Sequence, residues 1–169
     1  MHDERLVEIS DRDKEDRNIY GMLQDIGREE NGFGNEAYGL SFDQYRQFIE
    51  EKIRDKDEKT VRSGFAPQTI FWLYDGDEAV GLSKMRHHLH DRYRVNCGHI
   101  GFAIRKNARG KGYGKSILRL TIAEIRKIGV KDISLICKPS NTASRKIIES
   151  NGGVLEREDG GHCFYWVHL

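Results

Sequence analysis

The sequence predicts an α/β fold of the α+β type, one domain around a mixed sheet. Three observations carry that expectation. The chain has 169 residues, enough for one compact domain with its own core. Up to about residue 56 its apolar residues recur at helical spacing. From Thr69 onward the pattern changes to short runs of β-formers, interrupted by two further helical stretches. The elements run β α α β β β α β α β β, without an internal repeat or a second domain, so residues 1–169 are expected to form one unit.

Residues 5–10 (RLVEIS) read as a first strand. Residues 12–27 read as a helix with Ile19, Met22, Leu23 and Ile26 on one face. Three glycines make residues 31–40 a loop. A second helix over 41–56 starts at Ser41, with Gln44 placed for a capping box, and carries Phe42, Tyr45, Phe48, Ile49 and Ile53 on one face. The charge-dense run from Glu50 to Gly64 reads as a solvated helix end and linker.

Residues 69–74 (TIFWLY) and 78–85 (EAVGLSKM) read as a hairpin around Asp75-Gly76. A polar, basic connection covers 86–97, and 98–104 (GHIGFAI) is a strand holding two glycines. The helix over 112–128 carries Ile117, Leu118, Thr121, Ile122, Ile125 and Ile128 on one face, and Gly129 closes it. A strand over 132–137, a short helix over 140–150 and a hairpin of 154–158 with 163–169 complete the chain. Tyr165 and Trp166 alternate in the last strand and read as core rather than as a substrate platform.

Lys and Arg number 28 against 27 Asp and Glu, a balance that speaks against coating nucleic acid or an anionic membrane. Cys97, Cys137 and Cys163 are odd in number and form no C-x-x-C pair, which argues against a closed zinc site and for a reducing compartment. No apolar stretch approaches membrane-spanning length, and the N-terminus has no signal-peptide character. A cytoplasmic protein is the resulting expectation.

The segment with the most chemical content is Arg109-Gly110-Lys111-Gly112-Tyr113-Gly114-Lys115. It follows a strand and opens a helix, where unpaired N–H groups and the helix dipole attract phosphate. Glycines permit close approach, and Arg109, Lys111 and Lys115 add positive charge. The Walker pattern requires glycine where Arg109 stands, and the dinucleotide pattern starting at Gly110 requires glycine at Lys115. The pattern R-x-x-G-x-G fits, from Arg109 through Gly112 to Gly114.

With the preceding GHIGFAI strand, this pattern resembles the GNAT superfamily of N-acetyltransferases. The resemblance covers roughly residues 69–169. It implies a mixed, mostly antiparallel sheet of about six to seven strands, flanked by about four helices and splayed at its centre. It also implies acetyl-CoA as co-substrate, with no metal, and transfer of the acetyl group to a primary amine by direct attack. The loop N–H groups from Arg109 to Lys115 would bind the pyrophosphate. Phe102, Ala103 and Ile104 would hydrogen-bond the pantetheine arm in the manner of an added strand. Gly98 and Gly101 would ease a bulge and the splay. Asn141 and Ser144 match the family's N-x-x-[AS], although Asn141 serves equally as a plain helix cap. Ile148 stands where the family has its tyrosine acid.

The general base is less defined. The family's acidic position falls by count at Gly98, beside Cys97 and His99. His99 has a suitable intrinsic pKa and Glu149 is a second candidate; each has an ordinary structural or solvated alternative. The acceptor site is expected in segments 30–36 and 86–90, with Phe33, Arg86 and His87 as candidate contacts. His87 and His90 have a loose metal-ligand spacing that no Cys or acidic residue completes. The acceptor would be a small-molecule or peptide amine, and a homodimer is a common family arrangement. Two other readings stand beside the enzyme. One is a non-catalytic acyl-CoA-binding or sensing module, suggested by Ile148 and the missing acid. The other is a nucleotide-binding protein using the same loop.

Overall fold

The structure is a computed structural model and describes residues 3–30 and 32–169. Strand β1 (Glu4–Glu8) leads into a 3-10 turn at Asp11–Glu15 and then helix α1 (Arg17–Asp25). Residues 12–27 therefore do not form one helix. Asp16 sits in extended backbone, and its carboxylate accepts from the Asn18 and Ile19 N–H groups, starting a new helix. Strand β2 (Glu29–Glu30) pairs with β3 (Phe33–Gly34), and β3 falls within the segment 31–40 expected to be loop. Helix α2 (Phe42–Arg54) starts with the expected capping box of Ser41 and Gln44.

Strands β4 (Gln68–Asp75) and β5 (Glu78–Arg86) form the central hairpin. The connection after it holds one helical turn, α3 (Asp91–Arg94). Strand β6 (Ile100–Ile104), a 3-10 turn at Lys106–Ala108 and helix α4 (Tyr113–Lys127) follow. The chain ends with β7 (Asp132–Cys137), α5 (Thr142–Ser150), β8 (Val154–Asp159) and β9 (His162–His168).

The strands form two main sheets, ordered β1-β4-β5-β6 and β7-β9-β8, and every ladder within them is antiparallel. Between β6 and β7 there is only an isolated bridge, Gly98 to Leu135. The expected splay is therefore present. Within Ile100–Ile104 the β5–β6 register runs unbroken, from Gly81/Ile104 to Met85/Ile100, so no bulge falls at Gly101. The irregularity lies just before it, at Gly98 (φ +65°) and at His99, whose N–H bonds Ser134 O while its carbonyl accepts from Arg86 N.

Helices α1 and α2 cover one face of the larger sheet, where Ile19, Met22, Leu23 and Ile49 pack with Ile70, Trp72 and Leu82. Helix α4 covers the other face: Leu118 and Ile125 join the cluster of Phe71, and Ile117 joins that of Leu73 and Val80. Each fully buried side chain of this size contributes about 1.5–3 kcal/mol. The buried Trp72 indole N–H also donates to Asp13 Oδ2 at 2.8 Å. A hydroxyl contact of 2.7 Å between Ser83 and Thr121 fixes α4 to β5.

The charged run from Glu50 is not uniformly solvated. Lys52 and Asp55 are buried, because Lys52 pairs with Glu36 and Asp55 lies between Lys52 and Arg62.

Candidate active site

The gap between the sheets is closed at one end by three residues. Gly98 has φ +65°, and a Cβ there would lie 2.4 Å from the Ser134 carbonyl oxygen, so only glycine lets β6 and β7 meet. Next to it, the His99 N–H donates to Ser134 O at 2.8 Å, and His99 Nδ1 accepts the Ser134 N–H at 2.9 Å. Burial, reinforced by Arg86, Arg94 and His88, pushes the His99 imidazole down to about 4. A neutral ring with Nδ1 occupied fits a strand clamp rather than a proton acceptor.

Beyond the clamp the strands part. Arg86 N donates to His99 O, and Arg105 N donates to Val80 O. With the unbroken register, these bonds fix the alternation of the ladder. Gly101 and Ala103 point their backbone groups at β5, whereas Ile100, Phe102 and Ile104 point theirs into the gap. Of the three residues expected to bind pantetheine, Phe102 and Ile104 thus present backbone to the gap, and Ala103 does not. The Ile104 carbonyl accepts from Arg109 Nε at 3.0 Å, which ties the strand end to the loop.

The loop then enters α4. Gly110 and Gly112 have φ +77° and +93°, with nothing within 4 Å of a hypothetical Cβ. Their positive φ requires glycine, and the open space leaves room for a ligand against the backbone. Gly112 is the α4 N-cap and has no side chain to occupy the first-turn N–H groups. Gly114 faces α5, where its Cβ would lie 2.6 Å from Ile147 Cδ1. Lys111 and Lys115 are exposed, and Arg109 pairs with Glu30 at 3.4 Å. The Tyr113 hydroxyl donates to Asp75.

Across the gap, Asn141 is the N-cap of α5, its Oδ1 accepting Ser144 N at 3.1 Å and its Nδ2 donating to Ser144 Oγ at 2.8 Å. Both residues line the gap, so the capping reading and the family motif describe the same pair. Ile148 is buried and lines it as well. Glu149 is exposed and does not line it; its Oε1 accepts from the Tyr165 hydroxyl at 2.9 Å. Tyr165 is core, as expected, whereas Trp166 is half-buried on the outer face of its sheet and donates to Glu156.

Two adjoining cavities occupy the gap, of about 200 Å³ beside the loop and about 290 Å³ toward β3 and β5. They share Glu30, Phe102, Asn141 and Ser144. The larger one holds Phe33, Glu36, Lys84 and Arg86. Phe33 packs beside Gly101, and Lys84 Nζ lies 4.8 Å from its ring centre while donating to Gly34 O at 2.7 Å. Burial pushes the Lys84 ammonium down to about 8; Glu36 opposes the shift, and Lys52 and Arg86 add to it. For Glu36, burial acts upward, but the hydrogen bond and charge of Lys52, with Lys84 and Arg62, hold the carboxyl below its usual range.

Of the acceptor candidates expected from sequence, Phe33 and Arg86 line the larger cavity, as do Glu30 and Glu36 of the expected segment; Lys84 lines it too and was not among them. Two-residue alternation from Arg86 would have found that residue. The same alternation removes His87, whose Nε2 lies 2.8 Å from Thr69 Oγ1 and which does not line either cavity. Asn31, in the expected acceptor segment, lies outside the described residues. Among the described residues, no group of three His, Cys, Asp or Glu is placed to hold a metal, and no helix is long and apolar enough to cross a membrane.

The comparisons agree on the architecture. A family model described as an acetyltransferase (GNAT) domain matches residues 11–154. No curated protein matches the sequence. Among solved structures, the GNAT domain of PAT from S. lividans is 15% identical, with 98% of this chain and 90% of that one covered and a TM-score of 0.68. The putative acetyltransferase yncA from Salmonella typhimurium, solved with its cofactor acetyl-CoA, is 14% identical over 98% and 94% of the chains, with a TM-score of 0.65. RimL, a ribosomal L7/L12 α-N-protein acetyltransferase in complex with CoA, is 13% identical over 98% and 94%, with a TM-score of 0.71. These likenesses describe the fold, and the family match over most of the sequence settles membership: the chain belongs to the GNAT acetyltransferase family.

Proposed function

We propose that the protein transfers an acetyl group from acetyl-CoA to a primary amine by direct attack. The observation that carries this reading is the continuity of the unpaired β6 edge with the glycine cradle at the start of α4. An extended amide-bearing arm fits the first, and a pyrophosphate fits the second. The acetyl-CoA and CoA complexes of yncA and RimL support the same cofactor. When bound, acetyl-CoA supplies an activated acyl carbon on a thiol leaving group.

The chain's own residues take the remaining roles. Backbone groups of Phe102 and Ile104 hold the arm, and first-turn N–H groups of α4, with Lys111 and Lys115, hold the phosphates. A gap-facing N–H of β6 donates to the oxygen on which negative charge develops. Glu30 lines both cavities and offers an acceptor for the amine's proton, directly or through water, whereas Glu36, held ionised by Lys52, offers a hydrogen-bond acceptor to the amine. His99 positions β6 against β7. A thiol with a pKa of about 8.5 leaves tolerably as thiolate at neutral pH, so Ile148 in place of a tyrosine acid lowers the rate without forbidding the reaction.

Free-thiol release from acetyl-CoA with a panel of small and peptide amines tests this function. Turnover with a defined amine supports it. Ile148 favours a second reading, an acyl-CoA-binding module, which predicts thermal stabilisation by CoA with no turnover of any amine. Stabilisation by ATP but not by CoA would contradict both.

A further inference from the structure

Arg86 is 9% exposed and lines the larger cavity. Its Nη1 donates to Gly98 O at 3.2 Å, and the guanidinium carbon lies 4.7 Å from the Tyr93 ring centre. The buried Nε has no hydrogen-bond partner. Among the described residues no carboxylate pairs with Arg86. A guanidinium cannot escape this position by losing its proton, so it remains a buried cation short of a counterion.

Lys84 stands two residues away on the same face of β5 and, among the described residues, has only the Gly34 carbonyl oxygen as hydrogen-bond partner. The cavity's two carboxylates are already matched, Glu36 by Lys52 and Glu30 by Arg109. The unmatched charge at this end is therefore positive. A polyamine or a plain alkylamine would add a cation to it. An amine that also bears an anionic group would supply the missing counterion.

We propose that Arg86 and Lys84 form an anion subsite, and that the acceptor is an amine carrying a carboxylate or a phosphate. This rests on the acetyl-CoA reading above. Neutral amides of the same skeleton would lack the group that Arg86 holds, and charge-assisted bonds of this kind separate ligands by roughly 10- to 100-fold.

CoA binding is measured first by calorimetry, and its failure contradicts the acetyl-CoA reading itself. With CoA saturating the phosphate loop, the protein is titrated with N-acetylglycine, N-acetylglycinamide and inorganic phosphate. N-acetylglycine, phosphate or both should bind, the amide at least tenfold more weakly, and which anion binds separates carboxylate from phosphate. Arg86→Gln should lose anion binding at least tenfold, and Lys84→Gln, which leaves the Arg86 contacts in place, should lose it severalfold. CoA affinity should stay within threefold in both. If neither anion binds the CoA-loaded protein, or if both variants bind anions like wild type, the subsite is overturned while the acetyl-CoA reading stands. Efficient acetylation of spermidine, undiminished in Lys84→Gln, would also overturn it.

Discussion

His99 and Ser134 exchange two hydrogen bonds, the His99 N–H to Ser134 O at 2.8 Å and the Ser134 N–H to His99 Nδ1 at 2.9 Å. The side chain takes the place of a backbone acceptor, so the two sheets are joined at one point and part immediately beyond it. The width of the gap depends on that junction. Because Nδ1 must remain unprotonated to accept, the junction also depends on pH.

The folded state holds the His99 imidazole at about 4, below its ordinary 6.5. The unfolded chain therefore binds more protons in this window, and stability falls as pH drops from about 6.5 to about 4, by about 3 kcal/mol at most. Above pH 6.5 the contribution is complete. His99→Asn keeps an acceptor near the Ser134 N–H and removes the titration. Urea unfolding from pH 7 to 4 should show a shallower loss for the variant; equal slopes would contradict the role assigned to His99.

Gly112→Asp places a side chain at φ +93° and a negative charge at the cradle. Acetyl-CoA affinity should fall roughly 100-fold or more, with the circular dichroism spectrum preserved. Near-wild-type affinity in a folded variant would remove the loop from the cofactor site.

Ile148→Tyr would restore the family's tyrosine in sequence but not in space. Ile148 is buried, and a Cβ added at Gly153 would already lie 2.3 Å from its Cγ2. Overpacking should cost about 1–3 kcal/mol, seen as a lower Tm, without a gain in kcat. A faster variant of unchanged stability would show that the site accommodates a tyrosine acid there.

Phe33→Ala removes a ring from the larger cavity, the proposed acceptor site, and none from the cavity beside the Arg109–Lys115 loop. KM for the amine should rise roughly 5- to 10-fold, as expected for the loss of a partly buried aromatic contact, while acetyl-CoA affinity stays within threefold. A change confined to acetyl-CoA affinity would reassign that cavity.

Much of this was legible in the sequence because the signals are local. The positive φ of Gly110 and Gly112 leaves an imprint in residue type, and so do the Ser41–Gln44 box and the apolar stripe of α4. What stayed hidden depends on partners remote in sequence. Lys52 looked solvated among its charged neighbours until Glu36 came to meet it. The clamp role of His99 requires Ser134, 35 residues away. Lys84 is one lysine in a strand, and only the fold of residues 33–36 against β5 gives it a carbonyl partner, a ring and a nearby carboxylate. The break at Asp16 was a propensity matter, since an aspartate that caps competes with one that continues a helix.

The proposed reaction depends on where acetyl-CoA sits, and a crystal structure of its complex tests that most directly. The pantetheine amides should bond the gap-facing backbone of Phe102 and Ile104. The pyrophosphate should lie on the N–H groups of Gly110 to Lys115, and the acetyl group should point toward Phe33 and Arg86. Acetyl-CoA bound elsewhere, or leaving the Phe102 and Ile104 backbone untouched, would contradict it.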